Sequence, residues 1–474
     1  VTAATGCSLL VDTSGLSGGA DDDAGAADGH ADGSPPGDGD ALGDAAPGTL
    51  GTTWLAYGSA AGTIGVRTWD DAAERWSAEL PGPDIGGATV RWIVPKETRH
   101  GSMLAVVYAG AGGPRIGVFE RAADGSWKTG FTATVAHPTS RGFDIEYEAL
   151  SGDVLVTYED GTPTIKMRRR TAAGWQAEEA GPAVGGTNHP FWVELARNNV
   201  VNEIAMIYQD DEQNINVSTW NATTWAAPYQ VESHANTELF KCIDAAYEAL
   251  TGNLLVVWGR DNTFIDGGGA GDMRWRTKPL GQSFGTEHVE QQGLPAGPIM
   301  LSPEPGTSRI ALAYLENNCN KGGSGCDDFV TGIWNGTSFD IGSRDSDTTT
   351  LYQGRPSTMP TAVAWLGATG TAISAYHRDL ASGAGALAYT RYFGGAWDPI
   401  TGANAGTSLP PRASIALVSP SSKMVVALIE DTQGQLWSRG YDGATQAWIA
   451  LDDGKPLAST LVVVSAVPFG VTGP

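Results

Sequence analysis

Hydrophobic and polar positions fall in short runs along this chain, and the runs recur in a fixed order. Glu203–Asp210 is an apolar run that ends in an aromatic, Tyr208, and an acid, Asp210. Asn214–Trp220 then alternates apolar and polar, Asn221–Thr224 is a polar turn, and Trp225 closes the unit. A period of two reads as a strand exposed on one face, and a bounded apolar run reads as a buried strand. The closing aromatic recurs as Trp76, Trp127, Trp175, Trp225, Phe284, Phe339, Trp397 and Trp448, at steps of 51, 48, 50, 59, 55, 58 and 51 residues. The first aromatic recurs as Tyr57, Tyr108, Tyr158, Tyr208, Trp258, Tyr314 and Tyr376, with Ile429 in the eighth place. The chain is therefore eight copies of one unit of about fifty residues, the signature of a repeat architecture.

Each unit parses as four strands, A to D. Strand A follows a loop rich in Pro, Gly and Ser, and its copies begin near Ala88, Gly142, Pro190, Leu239, Gly297, Met359, Ala413 and Thr460. Strand B carries the first aromatic, strand C alternates, and strand D carries the second. The A–B connections (Ala149–Gly152, Ala249–Gly252, Pro420–Lys423) and the C–D connections (Asn221–Thr224, Asn335–Ser338, Gly394–Gly395, Asp442–Gly443) have hairpin chemistry. Glu238–Leu250 and Trp192–Met206 have local helical periodicity. The repeat register overrides it, because Tyr147–Gly152 and Tyr247–Gly252 are near-copies 100 residues apart and a helix in one unit would have to appear in its siblings.

The first unit opens on strands B, C and D, and a lone apolar strand, Thr460–Val467, stands after the eighth. Pairing that strand with the first unit completes an eighth sheet and removes two exposed edges. The expected fold is all-β: an eight-bladed β-propeller of four-stranded antiparallel blades, with seven blades as the alternative. The recurring aromatics then belong in the wedges between blades, where one ring buries about 150–250 Å².

Residues 1–50 have a different texture from the propeller at 51–474. They carry nine Asp and no Lys or Arg, within a run of Ala, Gly and Pro that has nothing to bury, so they read as a solvated tether. Asp-Gly-Asp spacing there hints at Ca2+, but a closed calcium site needs six to eight oxygens, and no cofactor is expected. Ser8–Asp12 alone has strand character. Small residues precede Cys7, as at the end of a bacterial lipoprotein signal, although Ala4 stands where Leu is preferred; Cys7 is the lipidation candidate, with an ordinary cysteine as the alternative. Cys319 and Cys326 flank a Gly-rich loop and either close a small disulfide ring, which implies an oxidising compartment, or remain free thiols. Cys242, in Leu239–Asp244, reads as a buried small hydrophobe.

Charge removes some partner classes. Lys and Arg total 29 against 53 Asp and Glu, a net −24, which repels nucleic acid and anionic membranes. No apolar run is long enough to span a bilayer. A membrane enters this reading only through a lipid at Cys7.

Strand direction puts the B–C and D–A loops on one face of the ring, and this loop face is where chemistry is expected. The longest B–C loops belong to three adjacent blades: Arg260–Asp272, Glu316–Asp328 and His377–Ala386. They supply the ligand candidates Asp261, Asp266, Asp272, Asp327, Asp328, His377 and Asp379. Several strands B end in an acid on this face (Asp160, Asp210, Asp261, Asp379, Asp431), a position where Asp also caps a turn through its own backbone. Arg355 and Arg412 lie in D–A loops and suit an anion. His137, His189 and His234 recur in three consecutive D–A loops; His189 and His234 join the ligand candidates, although neighbouring blades should hold the three too far apart for one zinc ion.

The C–D hairpins Gly434–Gly443 with Trp448, Trp220–Trp225 and Trp334–Phe339 resemble those of bacterial β-propeller lectins and sialidase-like repeats. The resemblance implies the fold over residues 51–470. The Asp-box turn is unmatched, Ala122–Trp127 coming closest, and Pro114–Gly117 has the wrong order for the sialidase Arg-Ile-Pro signature. The arginine triad of sialidases and the repeated Arg, Glu and Trp set of fucose-type lectins are likewise not found. There is no GxSxG elbow, no HExxH and no phosphate loop. The sequence thus points to a non-catalytic, extracellular or surface-exposed binding propeller that recognises a glycan or a surface protein. A sialidase-like glycoside hydrolase is the alternative, which requires paired carboxylates in a cleft. A structural subunit that assembles through its N-terminal segment is a third.

Overall fold

The computed structural model describes residues 8–11, 53–185, 188–233, 241–260, 272–292, 296–317, 327–349, 359–379, 385–399, 408–409, 414–430, 434–459 and 461–467. They form eight separate antiparallel sheets, one per repeat. In blades 2 to 8 the inner strand A spans Thr89–Thr98, Phe143–Tyr147, Pro190–Arg197, Ile243–Tyr247, Ala296–Pro303, Thr361–Trp365 and Ile415–Ser421. Strands B, C and D follow outward in sequence order within each sheet. The two stretches with helical periodicity are strands, as the register argument requires.

Blade 1 closes the ring. Its inner strand is Leu461–Val467, which pairs antiparallel with Trp54–Ser59, Trp54 opposite Val467 and Tyr57 opposite Val464. Ser8–Val11 then lies parallel on the far side of the same strand, Ser8 opposite Val463 and Val11 opposite Ala466. The closing strand is thus gripped between two segments from the other end of the chain, and a fifth strand occupies the axial edge of this blade.

The repeated aromatics pack between and within blades. Tyr158, Tyr208, Trp258, Tyr314 and Tyr376 are fully buried. Their polar tips reach acceptors on an outer strand or its flank: Tyr57 donates to Glu79 at 2.5 Å, Tyr208 to the carbonyl of Ala183 in the preceding blade at 3.0 Å, and Tyr376 to Asp345 in the preceding blade at 2.5 Å. Burial, with help from the facing carboxylates, pushes these phenols well above their ordinary pKa. The second aromatic leans back onto the previous blade: Trp127 donates to the carbonyl of Pro81 at 3.1 Å, and Trp225 reaches Met167 Sδ at 3.0 Å. Glycine makes room for it. A Cβ on Gly342 would lie 1.9 Å from Trp397. Gly342→Ala is expected to displace that indole and cost about 1–3 kcal/mol of stability in a urea titration, and an unchanged midpoint would refute this packing.

The face opposite the loop face is tied turn to turn. Backbone amides of Leu150 and Ser151 donate to Asn202 Oδ1 at 2.7 and 3.1 Å, Asn198 Nδ2 donates to the Gly252 carbonyl at 3.0 Å, and Leu250 donates to the Thr307 carbonyl at 3.0 Å. Buried glutamates at the ends of strand A add clasps. Glu148 accepts the Trp220 indole and Glu248 the Trp334 indole, each at 2.7 Å. These bonds satisfy polar groups that the sheets bury and hold successive blades in register. Cys242 is buried as expected and donates to Gln209 Oε1 at 3.2 Å. No helix among the described residues is long and apolar enough to cross a membrane.

Candidate functional site

The polar groups that converge on the loop face lie at the wedge between blades 3 and 4. Two segments build the site. One is the D–A connection, through Val184, Gly185, Asn188 and His189; the other is the B–C loop of blade 4, Asp210–Asn214. Asp210 ends strand B and starts the loop as a backbone cap: its Oδ1 accepts the amides of Glu212 at 3.0 Å and Asn214 at 2.8 Å. That is the turn chemistry expected of Asp, and Asp160 does the same with the Thr162 amide at 3.0 Å. Gln213 takes the positive φ, 69°, that the tight loop requires.

Asp210 is nonetheless more than a cap. It is buried, and its carboxylate also takes the side-chain amides of Asn188 at 3.0 Å and Asn214 at 2.9 Å. Asn188 Nδ2 bridges on to Glu212 Oε2 at 3.1 Å, and Gln230 Nε2 donates to Asn214 Oδ1 at 2.9 Å. Around this network is a cavity of about 450 Å³, lined by Val184, Gly185, Asn188, Glu212, Asn214, Asn216 and Gln230. Asn216 is 8% exposed. Its neighbours on either side in the sheet are Tyr208 and Gln230, and among the described residues its carboxamide has no hydrogen-bond partner. Its side-chain nitrogen and oxygen are not fully buried, so the amide is open from the cavity to water or to a ligand.

The loops that carry the site are fixed to each other. The His189 backbone amide donates to Asp211 Oδ1 at 3.0 Å, and the Asp211 amide returns a bond to the His189 carbonyl at 3.2 Å. His189 Nδ1 lies 3.0 Å from Asp211 Oδ2, and His137 Nδ1 lies 3.2 Å from the buried Glu159. Glu159 also accepts the backbone amides of Ala136 and His137. The two imidazoles stack, with centroids 3.6 Å apart and planes 12° apart. The sequence reads His137, His189 and His234 as too far apart for one zinc ion to reach all three; the structure stacks His137 on His189. Stacked rings aim their lone pairs in near-parallel planes, so the pair does not converge on one ion. Among the described residues, no group of three or more His, Cys, Asp or Glu is arranged to hold a metal.

The other candidates from sequence have these positions. Asp272 opens strand C of blade 5 and is buried, gripped on both oxygens by Arg274 at 2.7 and 2.9 Å. Asp328 is buried 3.8 Å from Arg344. His377 is fully buried inside blade 7, its backbone amide bonded to the Pro360 carbonyl at 2.8 Å. Asp327 opens strand C of blade 6 and Asp379 ends strand B of blade 7, and their side chains are outside the described set. Asp261, Asp266, His234, Arg355, Arg412, Cys319, Cys326 and Cys7 lie outside the described residues. Asn188, Glu212, Asn214, Asn216 and Gln230 were not singled out by sequence, since each is an ordinary polar residue until the register brings them together.

No protein-family model matches the chain, and no curated protein matches it. Among solved structures it is similar to the BP39L lectin from Burkholderia pseudomallei, at 13% identity over 74% of this chain and 95% of that one, with a TM-score of 0.45. It is also similar to the dihydro-heme d1 dehydrogenase NirN, at 11% identity over 91% of this chain and 77% of that one (TM-score 0.49), and to the Hadza microbial sialidase Hz136, at 12% over 69% and 70% (TM-score 0.36). Such distant likenesses add nothing to the propeller already traced strand by strand, and they carry no activity to this chain.

Proposed function

We propose that this protein is a non-catalytic binding propeller that recognises a glycan on its loop face, at the cavity between blades 3 and 4. The observation that carries the reading is Asn216: a residue only 8% exposed whose carboxamide opens on the cavity without a hydrogen-bond partner among the described residues, beside a cavity of about 450 Å³ otherwise lined by amides, one carboxylate and one aliphatic side chain. A planar amide offers a donor and an acceptor side by side, which matches adjacent sugar hydroxyls. The surrounding amides are held in place before any ligand arrives, which reduces the ordering cost of binding. The carboxylates nearby serve as supports. Both oxygens of Asp210 are committed to neighbouring amides, which leaves it poorly placed as a nucleophile or a proton donor. An extracellular or surface location, with residues 1–50 as tether and Cys7 as a lipid site, belongs to the same proposal and rests on the sequence.

Asn216→Ala tests it. Because the amide has no protein partner, its removal is expected to leave the melting temperature within about 2 °C of the parent, since no bonded group is orphaned. Glycan affinity measured on an array and by calorimetry is expected to fall at least tenfold, the cost of about one to two hydrogen bonds. A parent protein that binds nothing on the array, or a variant that binds as well as the parent, would sink the reading.

A further inference from the structure

We infer that the cavity between blades 3 and 4 selects sugar units that donate hydrogen bonds and carry no acidic group, and that buried Asp210 sets this polarity; the inference rests on the glycan reading above. An ionised carboxylate only accepts. The Asn188 and Asn214 side chains that meet Asp210, at 3.0 and 2.9 Å, must therefore present their NH2 ends to it. That choice propagates. With its nitrogen on Asp210, Asn214 turns Oδ1 toward Gln230, which must answer with Nε2, at 2.9 Å. Gln230 Nε2 also lies 3.4 Å from the Glu232 carbonyl, a second acceptor that fixes the same orientation. The amide nitrogens of Asn188, Asn214 and Gln230 are thus spent inside the protein. What remains at the cavity is mostly oxygen: Asn188 Oδ1, Gln230 Oε1 and the carboxylate of Glu212. Asn216, with no partner, is the lining residue that still offers a side-chain N–H.

Charge points the same way. Among the described residues, no Lys or Arg lines the cavity. Its B–C loop instead carries three consecutive acids, Asp210, Asp211 and Glu212. A carboxylate, sulfate or phosphate on the ligand would arrive as an acceptor among acceptors and as an anion beside anions. Hydroxyl groups fit, because each can donate to a waiting oxygen, and an ammonium fits by both criteria. The ligand class is therefore a neutral hexose or an amino sugar, with uronic, sialylated and sulfated sugars excluded.

The experiment uses the full chain on a glycan array that contains neutral, amino, uronic, sialylated and sulfated oligosaccharides. Hits are repeated with Asn216→Ala and with Glu212→Lys. Neutral or amino glycans are expected to bind the parent, to be lost in Asn216→Ala, and to exceed acidic glycans by at least tenfold. Glu212→Lys is expected to narrow that preference at least fivefold, because it places a donor and a positive charge on the cavity wall while the fold, checked by its melting temperature, persists. Acidic glycans that bind the parent in an Asn216-dependent way would overturn the inference and leave the glycan reading standing. A preference unmoved by Glu212→Lys would overturn it too. No binding of any glycan would remove both.

Discussion

A chain cut after Ser459 is expected to lose its single cooperative thermal transition, whereas a chain lacking residues 1–12 is expected to keep it. The difference follows from what each segment holds. Leu461–Val467 supplies the whole inner strand of blade 1, paired along Trp54–Ser59. Without it that edge faces the channel with unpaired amides and carbonyls, an exposed template for another chain. Each lost ladder bond is worth about 1 kcal/mol net, against a total stability of about 5–15 kcal/mol for a domain. The wedge beside it also loosens. Leu55, Tyr57 and Trp76 of blade 1 share one core cluster with Val418, Met424, Leu428 and Leu436 of blade 8, and Arg67 reaches across to the Leu457 carbonyl at 2.6 Å. That cluster loses Leu461 and the strand that holds Leu55 and Tyr57 in place. Removing Ser8–Val11 takes away only the extra parallel strand at the axial edge, so a shift of a few degrees is expected. Calorimetry and size-exclusion chromatography check both. A cut chain that melts like the parent, as a monomer, would mean that the ring does not depend on this closure.

The closure and the blade count are legible in the sequence because the aromatics recur at nearly constant steps and because the two ends complement each other: one unit lacks strand A and one strand A lacks a unit. Tyr147–Gly152 and Tyr247–Gly252 even foreshadow the matching clasps at Glu148 and Glu248. The site is less legible for a physical reason. Sequence reasoning gives weight to long loops, and so directs attention to blades 5 to 7. Those long loops lie largely outside the described residues; among the described ones, the cavity is built by the short loop Asp210–Asn214, stiffened by Asp210, together with a connection from the preceding blade. Asn216 looks like any polar position in an alternating strand, and only the register that sets it beside Gln230 marks it. The contact between His137 and His189 is hidden for the same reason: the two residues are 52 positions apart in the chain, and only the folded ring stacks them.

The inner strands conceal one more feature of this kind, and it makes stability depend on pH. Arg141 of blade 3 contacts Asp144 at 3.1 Å and Glu194 of blade 4 at 3.3 Å; Lys241 of blade 5 contacts Glu194 at 2.9 Å and Asp244 at 3.0 Å. Asp144 and Asp244 pass the linkage on by accepting the inner-edge amides of Leu195 and Leu301 in the next blades, at 2.8 and 2.7 Å. Three carboxylates thus share two cations, all out of water. Glu194 bears the imbalance. Its Oε1 takes both cations while its buried Oε2 meets no donor, and burial pushes its pKa up to about 7 from an ordinary 4.5, with Asp244 adding to the rise and Lys241 and Arg141 opposing it. Lys241 is shifted up: burial works against its charge, and Asp244 and Glu194 outweigh burial. It therefore stays charged through the neutral range.

A carboxyl raised in the folded state binds a proton there that the unfolded chain has released. Its contribution is present below about pH 4.5 and is lost as the pH rises through about 7, by up to about 3 kcal/mol. Glu194→Gln, neutral throughout, is expected to gain on the parent by that order between pH 5 and pH 8. Lys241→Met has the larger effect. It leaves Glu194 and Asp244 buried without their shared cation, which costs about 3–5 kcal/mol. The loss is expected in full at pH 8 and is smaller at pH 5, where the stranded Glu194 takes up a proton. Urea denaturation of the parent and both variants at pH 5, 6.5 and 8 checks this. A loss in Lys241→Met that is the same at every pH, or a Glu194→Gln variant that tracks the parent, would show that the buried ladder does not titrate in this range.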